Sequence, residues 1–417
     1  MLRLHSSLLT DYELRIKFEL LEIRMKKRIL LSVLLLFVAL AFSCRTPTKE
    51  TKTSYDRPLP PGQYALRKIT NPLEIPDFTM ACLNLTDLRV AIDNSRSYLN
   101  KPSSRQFFPV SGITHSRTLE SLDAFAELLD SGLRGAQLNQ AIREKFDVYI
   151  SIGCDDIGTV LFTGYYTPIF NGSLTRTGQF TYPLYKQPDD LVKGPTGEIL
   201  GRKMPDGTIT PYPPRAVIEN SLMLRGNELA WLGDPFEAYI AHVQGSAKLQ
   251  LPDGKMTTIG YAANNGHEYE SVAQALVRDG RIPGDKISLS TMIDYFKRYK
   301  DQVEMYVRRN PRFVFFRKDG GPPLGCLNEP VTTLRSIATD KSIFPRASLT
   351  FISTTLPKAM GPSVVNQLYS GFTLDQDAGG AIRAPGRCDV YMGLGDMAGK
   401  LAGQTYQEGR LYYLFLK

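Results

Sequence analysis

The residues best suited to chemistry lie in one run near the C-terminus, Asp375–Tyr391, which reads DQDAGGAIRAPGRCDVY. Asp377 and Asp389 stand twelve apart around a Gly-Gly turn. Asp389 is embedded between Cys388 and Val390-Tyr391. In an extended strand its immediate neighbours point to the opposite face. Desolvation in such a setting raises a carboxyl pKa, and a carboxylic acid that keeps its proton is what glycosidic bond cleavage needs. Arg383 or Arg387 could orient the acid. The bland alternative is a structural Asp paired with one of those arginines. Carboxylates are also the natural acid–base groups here because His5, His115, His242 and His267 are scattered, and neither H-E-x-x-H nor G-x-S-x-G occurs.

Two other motifs fail on spacing. Gly393-Leu394-Gly395-Asp396-Met397-Ala398 has the loose dinucleotide pattern, but the chain ends before a second strand and ribose-binding acid could follow. Asp375–Gly380 begins like a calcium loop, but its twelfth position is Gly386 where Glu is required. Cys82, Cys154, Cys326 and Cys388 contain no C-x-x-C, so no metal site is expected, and three disulfide pairings are open.

The 417 residues are 42 % apolar and 22 % charged, a globular composition that excludes disorder, collagen and coiled coil. Removing residues 1–44 lowers the formal charge from +8 to +5, and the longest basic run is Lys26-Lys27-Arg28, so no nucleic acid partner is expected. That run precedes Ile29–Phe42, apolar except for Ser32, and then Ser43-Cys44. A basic start, a short apolar stretch and a small residue before the cut make a secretory signal too short to span a bilayer. Leu40–Cys44 resembles a bacterial lipobox, which makes Cys44 the expected lipidation site. Residues 1–44 are read as leader and signal and 45–64 as a polar tether. Arg45, not Asp, follows Cys44, so the expected location is the periplasmic side of the outer membrane, with the bilayer as a partner.

These acids must be positioned by a mixed chain. Helical spacing marks the 65–160 region, best at Ser116–Leu129. Short apolar runs between Gly/Pro turns then predict strands at Val148–Ile152, Val160–Tyr166, Phe180–Leu184 and Thr257–Tyr261. Helices are expected at Pro235–Val243 and Leu289–Val307. Further strands are expected at Phe313–Arg317, Ser348–Ser353, Phe372–Leu374, Ile382, Asp389–Tyr391 and Leu411–Leu416. The pattern favours β-barrels over a doubly wound sheet.

Taken together, the motifs resemble one family. Asp377–Arg383, Arg387–Gly393, Ala402-Gly403 and Gly409-Arg410-Leu411 are similar to the C-terminal three-Asp region of membrane-bound lytic murein transglycosylase A. Phe162–Pro168, Tyr182–Tyr185, Trp231-Leu232, Asp234-Pro235, Val243–Ser246, Gly260-Tyr261, Asn264–Gly266, Asn310-Pro311, Phe315–Arg317 and Arg335–Asp340 follow the family's order. Two departures are Arg383, where Lys is common, and Cys388 directly before Asp389.

The resemblance implies a mainly β fold with some α: a double-psi β-barrel catalytic domain (65–168 and 285–417) carrying an inserted second β-barrel (169–284), with a groove between them. It implies cleavage of the β-1,4 bond between N-acetylmuramic acid and N-acetylglucosamine in peptidoglycan without water, leaving 1,6-anhydro ends. Asp389 is then the single acid/base and Asp377 its neighbour. Gln244, Gly245, Ser246, Tyr165, Tyr166, Thr167, Tyr261 and Arg383 are the expected substrate-binding residues. Glycan strands and other cell-wall enzymes are the expected partners, and no cofactor is expected. A non-catalytic wall-binding scaffold, or a hydrolase using Asp377 or Asp340 as base, are the alternatives.

Overall fold

The strand-rich half of the chain closes on itself. A computed structural model describes Met25 and residues 54–361 and 363–417, so Cys44 and the rest of the expected leader lie outside the described residues. Six strands form a ring: β1 (Val160–Thr167), β2 (Ser336–Ala338), β3 (Leu349–Met360), β4 (Ser363–Asp377), β5 (Arg387–Leu394) and β6 (Tyr406–Leu416). Their order is β6-β3-β4-β2-β5-β1, and β6 pairs back onto β1 to complete the barrel. The pairs β1–β5 and β2–β4 are parallel and the others antiparallel. This is the double-psi β-barrel. Two further strands, Phe146–Ser151 and Leu66–Lys68, extend the sheet from β6.

Alternation along each strand sorts two cores. On β1, Val160, Phe162 and Tyr166 point into the barrel, where they meet Ile337, Ile352, Val390, Leu411 and Tyr413. On the outer face of β3 and β4, Phe351, Phe372 and Leu374 pack beneath the helices Leu88–Leu99, His115–Asp130 and Gly135–Lys145. Phe372 and Phe125 make an edge-to-face contact there with centroids 5.0 Å apart. The strand β6 changes partner from β1 to β3 at Gly409, where a Cβ would come within 2.4 Å of the Ser353 carbonyl oxygen.

The second sheet has six strands in the order Val314–Asp319, Met256–Asn264, Ala247–Gln250, Ile169–Ser173, Glu228–Leu232, Tyr182–Tyr185. Its two end strands meet at a parallel bridge, Lys186–Phe316, so this sheet also curls into a barrel. It takes in a strand well beyond residue 284. Its core is Leu184, Leu232, Leu249, Ile259, Val314 and Phe316.

Two element expectations are corrected. The stretch Leu289–Val307 is not one helix: it breaks at Tyr299 (φ −123°, ψ 63°) into Leu289–Arg298, a 3-10 turn and Val303–Val307. The fold-back brings Phe296 within 6.0 Å of Tyr306, which a straight rod would separate. Ile382 is buried but lies in a turn, its N–H donating to Gly379.

Candidate active site

The register of three strands brings the two acids together. Ala338 on β2 is paired with Asp389 on β5 and with Asp377 on β4, the second pairing following a bulge. Residues directly opposite share a face. The acids therefore stand two strands apart on the outer face of the barrel, with only a methyl group between them. Cys388 and Val390 point inward into the core, as alternation requires.

Asp389 looks into a groove of about 570 Å³ between the two barrels. Its Oδ1 is buried and has no hydrogen-bond partner, and so are the hydroxyls of Thr163 and Tyr165 on β1. Thr163 is the residue opposite Asp389 in the parallel pair. The Tyr165 hydroxyl faces both carboxylates, which push its pKa further up after burial has raised it. The Thr163 hydroxyl lies toward Asp389 and the Tyr165 hydroxyl toward Asp377, so each acid has a hydroxyl of β1 beside it. Burial pushes the Asp389 pKa up to about 7, with Arg387 opposing and the Asp377 charge adding to the rise. Arg387 does not orient the acid by a bond; it pairs with Asp56 at 3.4 Å.

Asp377 is held differently. Its Oδ1 accepts from the backbone N–H of Cys326 and of Ala378, each at 2.8 Å, and burial still raises its pKa. Asp375 is a core residue, buried against Lys341, Thr339 and the Tyr413 hydroxyl. Asp340 does not line the groove: its Oδ1 accepts from Ser342 N–H and its Oδ2 from Ala384 N–H, both at 3.0 Å. Neither oxygen is free to act as a base.

The opposite wall comes from the helix Pro235–Gln244. Asp234 caps its start, accepting from Phe236 and Glu237 N–H, and Pro235 occupies the first turn. Gly245 ends it in the left-handed region (φ +74°), which glycine supplies without strain. The stop delivers Gln244, Gly245 and Ser246 to the groove. The Gln244 Oε1 accepts from Tyr166 N–H at 3.1 Å, tying the helix to β1 and leaving its amide donors for a ligand. Ser246, Thr167 and Tyr391 form a chain of hydroxyls at 3.4 and 3.0 Å. Tyr261 sits at a bulge, 39 % exposed as a residue, with its hydroxyl accepting from Asn264 at 2.6 Å.

The structure brings Tyr165, Thr167, Gln244, Gly245, Ser246, Tyr261, Arg383, Asp377 and Asp389 to one groove. Tyr166 is the exception. It points into the barrel core under Gly399 and cannot stack on a sugar. Thr163 and Arg312 were missed by sequence reasoning. Thr163 could have been found from its place two residues before Tyr165 on one strand face; Arg312 carries no such signal. The four remaining cysteines are free thiols, so Cys388 is a packed core residue and not a bridge. Among the described residues no group of His, Cys, Asp or Glu is placed to hold a metal.

Known proteins resemble this chain in both sequence and fold. Residues 161–317 match the MltA specific insert domain, and residues 335–415 match the 3D domain. The membrane-bound lytic murein transglycosylase A of Escherichia coli K12 is 28 % identical over 360 residues, 84 % of this chain and 88 % of that protein. The crystal structure of a membrane-bound lytic murein transglycosylase from Agrobacterium tumefaciens superposes with a TM-score of 0.70 at 26 % identity, covering 85 % of this chain and 98 % of that one. Escherichia coli MltA with bound chitohexaose has the same fold, at a TM-score of 0.65 and 24 % identity over 87 % of this chain and 99 % of that one. With both halves of the pattern matched in order around the shared groove, the chain belongs to the membrane-bound lytic murein transglycosylase A family.

Proposed function

We propose that this chain is a lytic transglycosylase that holds a peptidoglycan strand in the groove and cleaves the β-1,4 bond between N-acetylmuramic acid and N-acetylglucosamine. The observation that carries the reading is Asp389, a desolvated acid that lines the groove and holds its proton to about pH 7. In the first half of the reaction its proton passes to the glycosidic oxygen as the bond from that oxygen to the muramyl C1 breaks. In the second half the muramyl C6 oxygen bonds to C1, and the C6 hydroxyl proton returns to Asp389. The product is a 1,6-anhydro end, no water is consumed, and the acid is regenerated. One carboxyl serves both steps, which matches a site where Asp377 is committed to two backbone N–H groups. Tyr165 and Tyr261 offer ring faces to the sugars, and Gln244 and Ser246 offer polar groups.

The enzyme is placed by us on the periplasmic face of the outer membrane through lipid on Cys44. The support is the signal arithmetic and Arg45; no described helix is long and apolar enough to cross a membrane. Cys44→Ser should release the protein into the soluble fraction on cell fractionation, and a variant still bound to membranes would refute the anchor. The catalytic reading is tested by mass spectrometry of muropeptides released from purified sacculi. Anhydro ends from the wild type and none from Asp389→Asn are expected. Reducing ends would make it a hydrolase, and no product would make it a binding scaffold.

A further inference from the structure

Away from the acids, the groove wall carries positive charge that the proposed reaction does not use. Arg383 reaches in from the loop joining β4 to β5 and Arg312 from just before the strand Val314–Asp319. The Arg383 side chain is half exposed, and its one carboxylate contact among the described residues is a loose 3.9 Å approach to Glu268, itself 81 % exposed. Arg312 donates to the His267 carbonyl at 3.0 Å, and among the described residues it has no carboxylate within ion-pair distance. A Cβ on Gly380 would come within 3.1 Å of its Nε, so the loop that presents Arg383 lies directly over Arg312. Burial and the charge of Arg383 both disfavour the Arg312 cation. The other arginines of the groove have carboxylate partners: Arg317 is paired with Asp319, and Arg215 with Glu219.

The Arg383 charge works against the Arg312 cation, and the exposed Glu268 holds Arg383 only loosely, so a carboxylate arriving from a ligand would remove a cost. A strand made only of N-acetylglucosamine has no carboxylate to offer. A muramyl residue does: its 3-O-lactyl arm ends in a free carboxylate when the peptide has been removed, and in an acidic peptide when it has not. We propose that Arg383 and Arg312 form a subsite for a carboxylate carried on the lactyl arm of a muramyl residue, so that the groove prefers anionic murein strands to neutral chitin-like ones. This rests on the reading that the groove holds murein.

The test is binding, measured in an Asp389→Asn background so that nothing is cleaved. Three ligands of equal length are compared: an N-acetylglucosamine hexamer, murein oligosaccharides stripped of peptide, and peptide-bearing murein oligosaccharides. Arg383→Gln should weaken an anionic ligand about fivefold more than the neutral hexamer, a gap that high salt narrows. Arg383→Lys should restore most of it, and Arg383→Glu should widen it. The anionic ligand that suffers identifies the source of the carboxylate. Equal effects on all three ligands in both Arg383→Gln and Arg383→Glu would overturn the proposal. Selective binding without anhydro products from the wild type would leave the subsite standing and remove the transglycosylase reading; the reverse result would do the opposite.

Discussion

At Asp389, desolvation wins over the nearby Arg387 charge, and the carboxyl keeps its proton to about pH 7. Two consequences follow with definite signs. In the proposed reaction turnover needs the protonated form, so kcat/KM on sacculi should fall as pH rises through about 7, and Asp389→Asn should lose at least about 10²–10⁴-fold at every pH while still sedimenting with insoluble murein. The raised pKa also means that the folded state holds this proton more tightly than the unfolded chain does. Its contribution to stability is complete at low pH and is lost as pH rises through about 7. Asp389→Asn, which cannot ionise, should therefore gain on the wild type between pH 5 and pH 8, by on the order of 2–4 kcal/mol in chemical denaturation. Equal stability of the two proteins at both pH values would show that Asp389 is not desolvated. Asp377 differs because two N–H groups hold one of its oxygens, so Asp377→Asn, which retains an acceptor there, should fold normally and lose less activity.

At the level of strands, alternation and register decide which side chains meet. The inward turn of Cys388 and Val390 and the outward turn of Asp389 were legible in the sequence, because an acid between apolar residues has only one sensible face. Tyr165 and Tyr166 were not separable in this way. Both faces of β1 are covered, one by the barrel core and one by the groove, so polarity does not say which tyrosine faces which. The role of Ala338 was equally hidden, since it depends on a bulge between strands distant in sequence. The helix Pro235–Gln244 was legible from its Asp-Pro start and glycine stop, whereas the break at Tyr299 is imposed by tertiary contacts. Gly409 is the position where β6 changes partner, with backbone at 2.4 Å from any Cβ. Gly409→Ala should lower stability by about 3 kcal/mol in urea titration, because backbone atoms cannot yield as a side-chain tip can. Gly321→Ala, with open space around the added methyl, is the control and should be near neutral.

Across the whole molecule, the groove is assembled from parts far apart in the chain: β1 near residue 160, the helix ending at Gln244, and β5 near residue 390. The insert leaves the barrel after β1, and the barrel resumes only at Ser336. Asp377, Asp389, Gln244 and Tyr261 were legible because each sits in a motif of its own, whereas Arg312 enters the groove only through the folding of the second barrel. The last strand, Tyr406–Leu416, pairs with β1, with β3 and with Phe146–Ser151, so it closes the ring. Deleting Tyr406–Lys417 should abolish both cooperative unfolding and murein cleavage, and a truncated protein that still cuts sacculi would disprove the dependence. High contact order of this kind makes folding slow, and it also sets an order of events during synthesis. During synthesis Asp389 on β5 is made before β6, and β1 is not locked into the ring until Tyr406–Leu416 pairs with it. The groove is thus a late product of folding: its two acids gain their final setting only when β6 closes the ring onto β1.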